Sequence, residues 1–205
     1  MINEPTVYVV DDDRAVASSL SWLLETVGLP VRTYSNANEF MAAMEPDPCG
    51  CLILDVRMPG MSGLELQERL CSRGVHIPVI FITGHGGVSN AVRAIKAGAL
   101  DFLEKPFDDQ TLLDRVQKAI EVDASTRRSM SERAIVAARR ATLTPRECEV
   151  MDLVVEGRAN KVIAQVLGLS SKTIEAHRAH VMEKMGARSV SELVRMALCI
   201  TPTTH

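Results

Sequence analysis

Three consecutive carboxylates follow a short apolar stretch near the start of the chain. In "VYVVDDDRAV" these are Asp11, Asp12 and Asp13. Two carboxylates about 4 Å apart repel each other by roughly 4 kcal/mol at an effective dielectric near 20. A helix start would explain one or two of them, because Asp is a favoured N-cap and acids suit the first turn. It explains three poorly, so we expect something else, such as a bound cation, to offset the repulsion.

Polar side chains also follow three other apolar segments. "CLILD" ends on Asp55, "PVIFIT" ends on Thr83 and "ALDFLEK" ends on Lys105. Ligands of an open parallel sheet bind at the carboxyl ends of its strands, so these side chains would converge there with Asp11 and Asp12. Mg²⁺ prefers oxygen ligands and keeps several waters. The hydroxyl and the ammonium would then receive a phosphoryl group beside the metal.

Strand-like and helix-like patterns alternate over the first 120 residues. The apolar segments "TVYVV", "PVRTY", "CLILD", "PVIFIT" and "ALDFL" are separated by stretches with helical periodicity. This alternation predicts an α/β domain with a parallel sheet and helices on both faces. "CLILD" and "PVIFIT" are apolar almost throughout, which is typical of central strands buried on both sides.

Charge is distributed unevenly between the two parts of the chain. Residues 1–120 hold ten Lys and Arg against sixteen Asp and Glu, whereas residues 121–205 hold thirteen against ten. This asymmetry suggests two modules with different partners, although the basic excess alone is a weak argument for nucleic acid. No apolar run approaches the roughly 20 residues that cross a membrane. The five cysteines show no metal-ligand spacing, so we expect reduced thiols in a cytoplasmic protein.

The segment that joins the two modules is polar and has helical periodicity. Residues 109–141 contain neither Gly nor Pro. A flexible linker is one interpretation, but a continuous helix that carries on from the last element of the first module is the one we favour. At 1.5 Å per residue such a helix would span up to about 50 Å and hold the two domains apart.

A second, all-helical region follows. "TLTPRE" contains Thr144 as an N-cap, Pro145 in the first helical position and Glu147 to close a capping box. "NKVIAQVLGLSSKTIEAHRAHVMEKMG" gives two helices joined by a turn at Gly168, with Ser170 as the second N-cap. This is the outline of a helix-turn-helix. "SVSELVRMAL" supplies the last of four short helices.

The second helix of this pair has two distinct faces. At 100° per residue, Ile174, Val181 and Met185 share one face. The opposite face carries small residues and charges of both signs: Lys172, Glu175, Ala176, Ala179 and Glu183. Such a face could enter a major groove, and it could equally be an ordinary solvated surface.

Residues 5–122 resemble the receiver domain of two-component response regulators. The matching motifs are "VVDDD", "LILDVRMPGMSG", "FITGHG" and "FLEKPF", in that order. The resemblance implies a flavodoxin-like, doubly wound, five-stranded parallel receiver domain in which a sensor histidine kinase phosphorylates Asp55. It also implies that Asp12 and Asp55 ligate Mg²⁺ with the backbone carbonyl of Arg57, and that Asp11 binds the metal through water.

The same resemblance implies roles for three more side chains. Thr83 and Lys105 would hold the phosphoryl oxygens. Phe102 stands where the family carries a switch aromatic, whose rotamer reports the state of Thr83. Asp13 receives no role from the resemblance, and a helix cap accounts for it.

Residues 142–200 resemble the LuxR-type (NarL/FixJ) DNA-binding domain, through "LTPRECEVM" and "NKVIAQVLGLSSKTIEAHRAHVMEKMGARSVSELV". The resemblance implies that Glu175, Ala176 and Ala179 face base edges. It assigns phosphate contacts to five residues, namely Lys161, Lys172, Thr173, Arg178 and Lys184. Two positions depart from the family pattern. Ala159 replaces a capping Ser, and Glu175 stands where a basic or polar reader is common, so the sequence preference stays open.

Together the motifs resemble the FixJ/NarL response regulators, and the long helical linker resembles the StyR/TodT-like branch. We expect a receiver over residues 1–122, a helical linker over 123–141 and an all-α, four-helix helix-turn-helix domain over 142–205. The phosphorylated protein would form a homodimer, bind promoter DNA and, with RNA polymerase, activate transcription. It would work in the cytoplasm, without contact with a membrane.

Two other classes of protein compete with this interpretation. A Mg²⁺-dependent aspartyl-phosphate phosphatase would need a second acid two residues after the nucleophile as general acid, and Arg57 occupies that position. A phosphorylation-independent or ligand-gated DNA-binding regulator would not need the complete acid site. That site comprises Asp11, Asp12, Asp55, Thr83 and Lys105. We therefore expect a regulator and not an enzyme.

Overall fold

The computed structural model describes residues 4–84 and 88–200, apart from the side chains of residues 88–90. The last two residues of the "FITGHG" motif lie outside the described residues. The chain divides into two compact units, Met1–Thr126 and Arg127–His205. Among the helices that are described, none is both long and apolar enough to cross a membrane.

The first unit is built on a parallel sheet of five strands, in the order β2-β1-β3-β4-β5. The strands are β1 (Thr6–Val10), β2 (Val31–Tyr34), β3 (Gly50–Asp55), β4 (Val79–Thr83) and β5 (Asp101–Glu104). Strand order reverses between β1 and β3, because β2 lies on one side of β1 and the later strands lie on the other. This is the doubly wound, flavodoxin-like topology, which confirms the predicted fold class.

Helices connect these strands and cover both faces of the sheet. They are α1 (Arg14–Thr26), α2 (Ala37–Ala43), α3 (Gly63–Ser72), α4 (Val88–Lys96) and the first part of α5 (Asp109–Arg140). Along β3, Leu52 and Leu54 join one apolar cluster, whereas Cys51 and Ile53 join the other. Every residue of β3 is buried, as a central strand between two helical layers must be.

The segment between the two modules is one helix. α5 runs without interruption from Asp109 to Arg140, so the predicted continuous helix is present. Leu112, Val116 and Ala119 belong to the core of the first unit, and Val136 belongs to the core of the second.

Contacts of the first unit extend one residue past the boundary expected at residue 122. Asp123 is buried, and its Oδ2 accepts a hydrogen bond from the backbone N–H of Gly50 at 2.9 Å. Gly50 has a φ of +120°, and a Cβ at this position would lie 2.0 Å from the carbonyl oxygen of Thr6. Only glycine fits there, because the backbone at the start of β3 lies too close to the backbone of β1 for a side chain.

The second unit consists of four short helices after the end of α5. They are α6 (Pro145–Val155), α7 (Asn160–Leu167), α8 (Ser171–Met185) and α9 (Val190–Ile200). The capping box of Thr144 and Glu147 is present at the start of α6. Ser170 caps α8, whereas Ala159 gives α7 no side-chain cap, as predicted.

The core of this unit confirms the helical-wheel prediction for α8. Ile174, Val181 and Met185 are its buried residues, and they pack with apolar side chains of α6, α7 and α9. α7 ends at Gly168 and α8 ends at Gly186, both in the left-handed conformation with φ of +66° and +67°. The glycines let the chain turn sharply after each helix.

Candidate functional site

The carboxyl edge of the sheet gathers the residues that the sequence singled out. Asp11 follows β1, Asp55 ends β3 and Thr83 ends β4. Lys105 follows β5, and its backbone N–H donates to the Thr83 carbonyl at 2.8 Å. This hydrogen bond holds the ends of the neighbouring strands β4 and β5 together. Because order reverses between β1 and β3, the two acids lie at the crevice where α/β sheets bind ligands.

Lys105 balances part of the negative charge at this edge. Its Nζ lies 2.8 Å from Asp11 Oδ2 and 3.5 Å from Asp55 Oδ1. Asp11 is 2% exposed and Asp55 is 7% exposed, so both carboxylates are largely removed from water. Charges in such surroundings need a partner, and here one ammonium serves two carboxylates.

The pKa of Asp55 is raised above its usual value. Burial of the carboxyl group is the main cause, and the nearby charge of Asp11 adds to it. Lys105 and the backbone N–H of Arg57, which donates to Asp55 Oδ2 at 2.9 Å, oppose the rise. A buried carboxyl group with a perturbed pKa at the carboxyl edge of a sheet is a functional-site candidate.

The three consecutive aspartates do three different things. Asp11 is buried, contacts Lys105 and accepts the backbone N–H of Asp13 at 2.9 Å. Asp13 caps α1 by accepting the N–H of Ala15 at 2.8 Å, which confirms the helix-cap interpretation for this residue. Asp12 is exposed and, within the described part of the chain, makes no hydrogen bond or ion pair.

The donors at this edge fit Mg²⁺ by their chemistry. Asp11, Asp12 and Asp55 offer oxygen atoms only, which is what a hard cation requires. Across residues 4–84 and 88–200, no three His, Cys, Asp or Glu side chains are grouped closely enough to form a metal cage. Mg²⁺ does not need one, since one or two carboxylates and several waters usually hold it. The fit is therefore to a hydrated ion.

Phe102 and Thr83 lie in neighbouring strands beside the acids. Thr83 is almost fully buried at the end of β4. Phe102 is half-buried on β5, and its ring centroid lies 6.4 Å from that of Phe81, the residue paired with it in β4. This places Phe102 on the edge of an apolar cluster. Its role as a switch aromatic stays a prediction.

In the second unit, α8 carries an exposed surface of the predicted composition. The exposed residues on it include Lys172, Glu175, Ala176 and Ala179. Thr173 of α8 is half-buried, and Lys161 is exposed on α7. Glu175 makes no ion pair or hydrogen bond with any residue in the described ranges.

Two of the predicted phosphate contacts already have partners within this unit. Lys184 Nζ lies 2.6 Å from Oε2 of the buried Glu147, and Arg178 Nη1 donates to Asn160 Oδ1 at 2.8 Å. The hydrogen bond from Lys184 and the backbone N–H of Thr144 lower the pKa of Glu147 to about 2. A DNA phosphate would have to compete with these contacts.

The pairing of Glu147 with Lys184 was not predicted from the sequence. A signal for it existed, because Glu147 lies on the same helix face as Val150, Met151 and Val154, all of which are buried. A carboxylate on an apolar face needs a cation or several donors. The sequence did not say which of the basic residues would supply it.

Comparisons with known proteins agree with both units. The response regulator receiver domain family matches residues 7–117, and the luxR family of bacterial regulatory proteins matches residues 141–197. The transcriptional regulatory protein FixJ of Azorhizobium caulinodans is 50% identical over 192 residues, which are 94% of this chain and 91% of that protein. The response regulator protein TodT of Pseudomonas putida is 42% identical, over 93% of this chain and 84% of its own length.

Solved structures give the same result. The response regulator StyR has a TM-score of 0.85 at 42% identity, covering 96% of this chain and 99% of that one. Full-length FixJ from B. japonicum has a TM-score of 0.60 at 42% identity, covering 97% and 98%. The two units are thus a receiver and a LuxR-type helix-turn-helix, which regulate transcription and are not an enzyme. The chain belongs to the FixJ/NarL family of DNA-binding response regulators, and it is similar to the StyR/TodT-like branch of that family.

Proposed function

We propose that phosphorylation of Asp55 by a sensor histidine kinase switches this regulator on. The observation that carries the proposal is the pair of buried carboxylates, Asp11 and Asp55, which meet the ammonium of Lys105 where strand order reverses. We take Asp55 as the nucleophile because the resemblance to receiver domains implies it, and its place at the end of the central strand β3, beside the crevice, supports this choice. We keep the division of the chain at residues 1–122, 123–141 and 142–205 as part of the proposal.

Each residue of the acid site has a distinct task in this scheme. A carboxylate oxygen of Asp55 attacks the phosphorus atom, and the phosphoryl group leaves the imidazole nitrogen of the kinase. The Lys105 ammonium and the Thr83 hydroxyl then donate charge-assisted hydrogen bonds to the anionic phosphoryl oxygens. Asp12, Asp55 and the Arg57 carbonyl would hold Mg²⁺, with Asp11 contacting it through water, and the ion would neutralise charge on the transferred group.

Labelling with a small phosphodonor tests this assignment. With Mg²⁺ present, the full chain should acquire an acid-labile phosphoryl group, and Asp55→Asn should acquire none. Asp12→Ala should need a higher Mg²⁺ concentration, because it removes an exposed oxygen ligand. Asp13→Asn is the matched control, since Asn is as good an N-cap as Asp. Equal labelling of the wild type and Asp55→Asn would disprove the proposal.

For DNA, we propose that α8 enters the major groove. Glu175, Ala176 and Ala179 would face base edges, while Lys161, Lys172, Thr173, Arg178 and Lys184 would contact phosphates. Glu175 supports this because its carboxylate is exposed and has no partner among the described residues. A carboxylate near DNA is repelled by phosphate unless it accepts a hydrogen bond, and cytosine N4 is the base atom that offers one.

Substitutions on α8 separate base reading from phosphate binding. Glu175→Ala should relax the preference at one C·G pair by roughly 1–3 kcal/mol, with little loss of non-specific binding. Arg178→Ala should weaken all sequences alike and make the salt slope shallower by about one. Selection from a randomised duplex pool by each variant makes the comparison. An unchanged sequence profile for Glu175→Ala would remove this residue from the readout.

A second copy of the chain, promoter DNA and RNA polymerase are the remaining partners in the proposal. The phosphorylated receiver forms a homodimer, and α4 offers a surface for it. Val92 and Ile95 are exposed apolar residues three positions apart, so they lie side by side on this helix. The dimer binds promoter DNA and contacts RNA polymerase to activate transcription. All of these partners are cytoplasmic, so we place the protein in the cytoplasm.

A further inference from the structure

The last turn of α5 holds the C-terminal end of α8. Arg139 Nη1 donates a hydrogen bond to the backbone carbonyl of Met185 at 2.9 Å. The guanidinium also lies against the next residue, because a Cβ added to Gly186 would come within 3.0 Å of Nη1 and 3.2 Å of Cζ. Gly186 is the left-handed C-cap of α8, so Arg139 packs over the end of that helix.

Arg139 supplies what the end of α8 otherwise lacks. The last carbonyls of a helix have no partner inside the helix and carry partial negative charge. At the end of α8 the N–H of Gly186 donates a hydrogen bond to the Glu183 carbonyl, and the N–H of Ala187 donates one to the Met182 carbonyl. The Met185 carbonyl receives its hydrogen bond from Arg139. The positive charge of Arg139 also complements the dipole of α8.

This turn of α5 is packed into the second unit. Val136, three residues before Arg139, is 7% exposed and belongs to the apolar core that Val181 and Met185 share. The receiver family match ends at residue 117 and the luxR family match begins at residue 141. Val136 and Arg139 therefore lie outside both family matches, although they contact the helix-turn-helix.

The other helix of the pair ends in the same way. α7 ends at the left-handed Gly168, and Arg146 of α6 donates a hydrogen bond to the Leu167 carbonyl. Each helix of the helix-turn-helix thus has a glycine turn and an arginine at its last carbonyl. Arg146 lies inside the LuxR-type motif, whereas Arg139 comes from the helix that precedes it.

We propose that Arg139 is a positioning residue for DNA binding, which fixes the C-terminal end of α8 without touching DNA. This rests on the proposed function, in which α8 reads the major groove. An α8 whose end is loose must be ordered again when it binds, so losing the arginine lowers affinity. Arg139→Ala should weaken binding about tenfold, because a hydrogen bond to a charged group is lost.

The test measures DNA binding by the full chain after treatment with a small phosphodonor. The probe is a duplex that the wild type selects from a randomised pool, and the dissociation constant is measured over a salt series. A stoichiometric titration gives the active fraction separately. Arg133→Ala is the matched control, because Arg133 is exposed on the same helix and has no partner among the described residues.

For Arg139→Ala we expect weaker binding with an unchanged active fraction and an unchanged salt slope. Arg139→Lys should recover part of the affinity, since a lysine can donate to one carbonyl. Arg133→Ala should match the wild type. Amide hydrogen exchange over residues 181–187 should rise in Arg139→Ala, which reports the loosened helix end.

Three results would overturn the inference. Unchanged affinity in Arg139→Ala would show that the cap does not matter for binding. A salt slope shallower by about one would mean that Arg139 contacts phosphate directly. A lower active fraction with an unchanged dissociation constant would reduce its role to folding.

Lys172→Ala and Glu175→Ala separate this inference from the function on which it rests. If these two variants change DNA binding while Arg139→Ala does not, α8 reads DNA and only the positioning role fails. If neither Lys172→Ala nor Glu175→Ala changes DNA binding, α8 does not read the major groove, and the proposed role of Arg139 is disproved as well.

Discussion

At the scale of single residues, the positive charge of Lys105 allows two carboxylates to be buried side by side in the acid site. Asp11 and Asp55 are both buried, and their repulsion is offset by one ammonium that contacts each of them. The balance is incomplete, because burial and Asp11 still raise the pKa of Asp55. Ionisation of Asp55 in the folded protein therefore has a cost in stability. Such a cost is common where activity needs a strained site.

This balance predicts that Asp55→Asn is more stable than the wild type at pH 7. A carboxyl group whose folded pKa lies above its usual value of 3.8 contributes stability below that value, and the contribution is lost as pH rises through the folded pKa. Asn does not ionise, so the variant should have a higher free energy of unfolding than the wild type at pH 7.

Urea unfolding of both proteins from pH 7 down to pH 4 measures this difference. The gain should shrink as the pH falls, because the wild-type carboxyl becomes protonated. A wild type that is more stable than Asp55→Asn at pH 7 would contradict the prediction.

At the scale of elements, the loop between β3 and α3 is the tightest part of the acid site. The N–H of Gly63 donates to the Val56 carbonyl at 3.1 Å. A Cβ on Gly63 would lie 2.2 Å from the backbone carbonyl oxygen of Asp55. The first residue of α3 thus packs directly on the last residue of β3, and this contact sets where the Asp55 side chain begins.

Gly63→Ala should therefore disturb both stability and phosphorylation. The methyl group cannot be accommodated unless the backbone moves, which typically costs about 1–3 kcal/mol. We expect a lower free energy of unfolding in urea and slower labelling of Asp55. Gly84→Ala is the control for stability, because its Cβ would meet no atom of residues 4–84 or 88–200 within 4 Å. Wild-type stability and labelling in Gly63→Ala would contradict this prediction, because they would show that the loop backbone accommodates a methyl group without loss of stability.

Element ends were predictable from the sequence because they depend on neighbouring residues. The capping box of Thr144 and Glu147 and the strand that ends on Asp55 are both local patterns. Contacts between distant residues were not predictable, for they depend on how helices pack and on rotamers. Arg139 with Met185, and Glu147 with Lys184, are the examples. The resemblance to the LuxR-type domain placed Lys184 on phosphate, because a match to a family position does not show which side chains of this chain lie beside it.

At the scale of the whole molecule, phosphorylation must change how the protein binds DNA. A ligand or modification shifts an equilibrium only by its differential affinity for the two states. In our proposal dimerisation supplies such a difference, because two linked DNA-binding domains would bind two half-sites with a high effective concentration. The acidic first 120 residues and the basic remainder also keep DNA on the second unit rather than the first.

Ile95→Glu should uncouple phosphorylation from DNA binding. Ile95 is 49% exposed on α4, where a charge would be buried by a partner copy but is tolerated in the monomer. The variant should accept phosphate on Asp55 at the wild-type rate. It should sediment as a monomer at micromolar concentration, and phosphorylation should no longer raise its affinity for a selected duplex with two half-sites.

Val27→Glu is the matched control for Ile95→Glu. Val27 is 52% exposed at the C-cap of α1, so the same change in charge and polarity is made at another exposed apolar position of the receiver. This control should dimerise and gain DNA affinity as the wild type does. If phosphorylated Ile95→Glu still forms dimers, α4 is not the dimer surface. If it stays monomeric yet gains the full DNA affinity, phosphorylation acts within one chain, and the gain does not come from joining two DNA-binding domains.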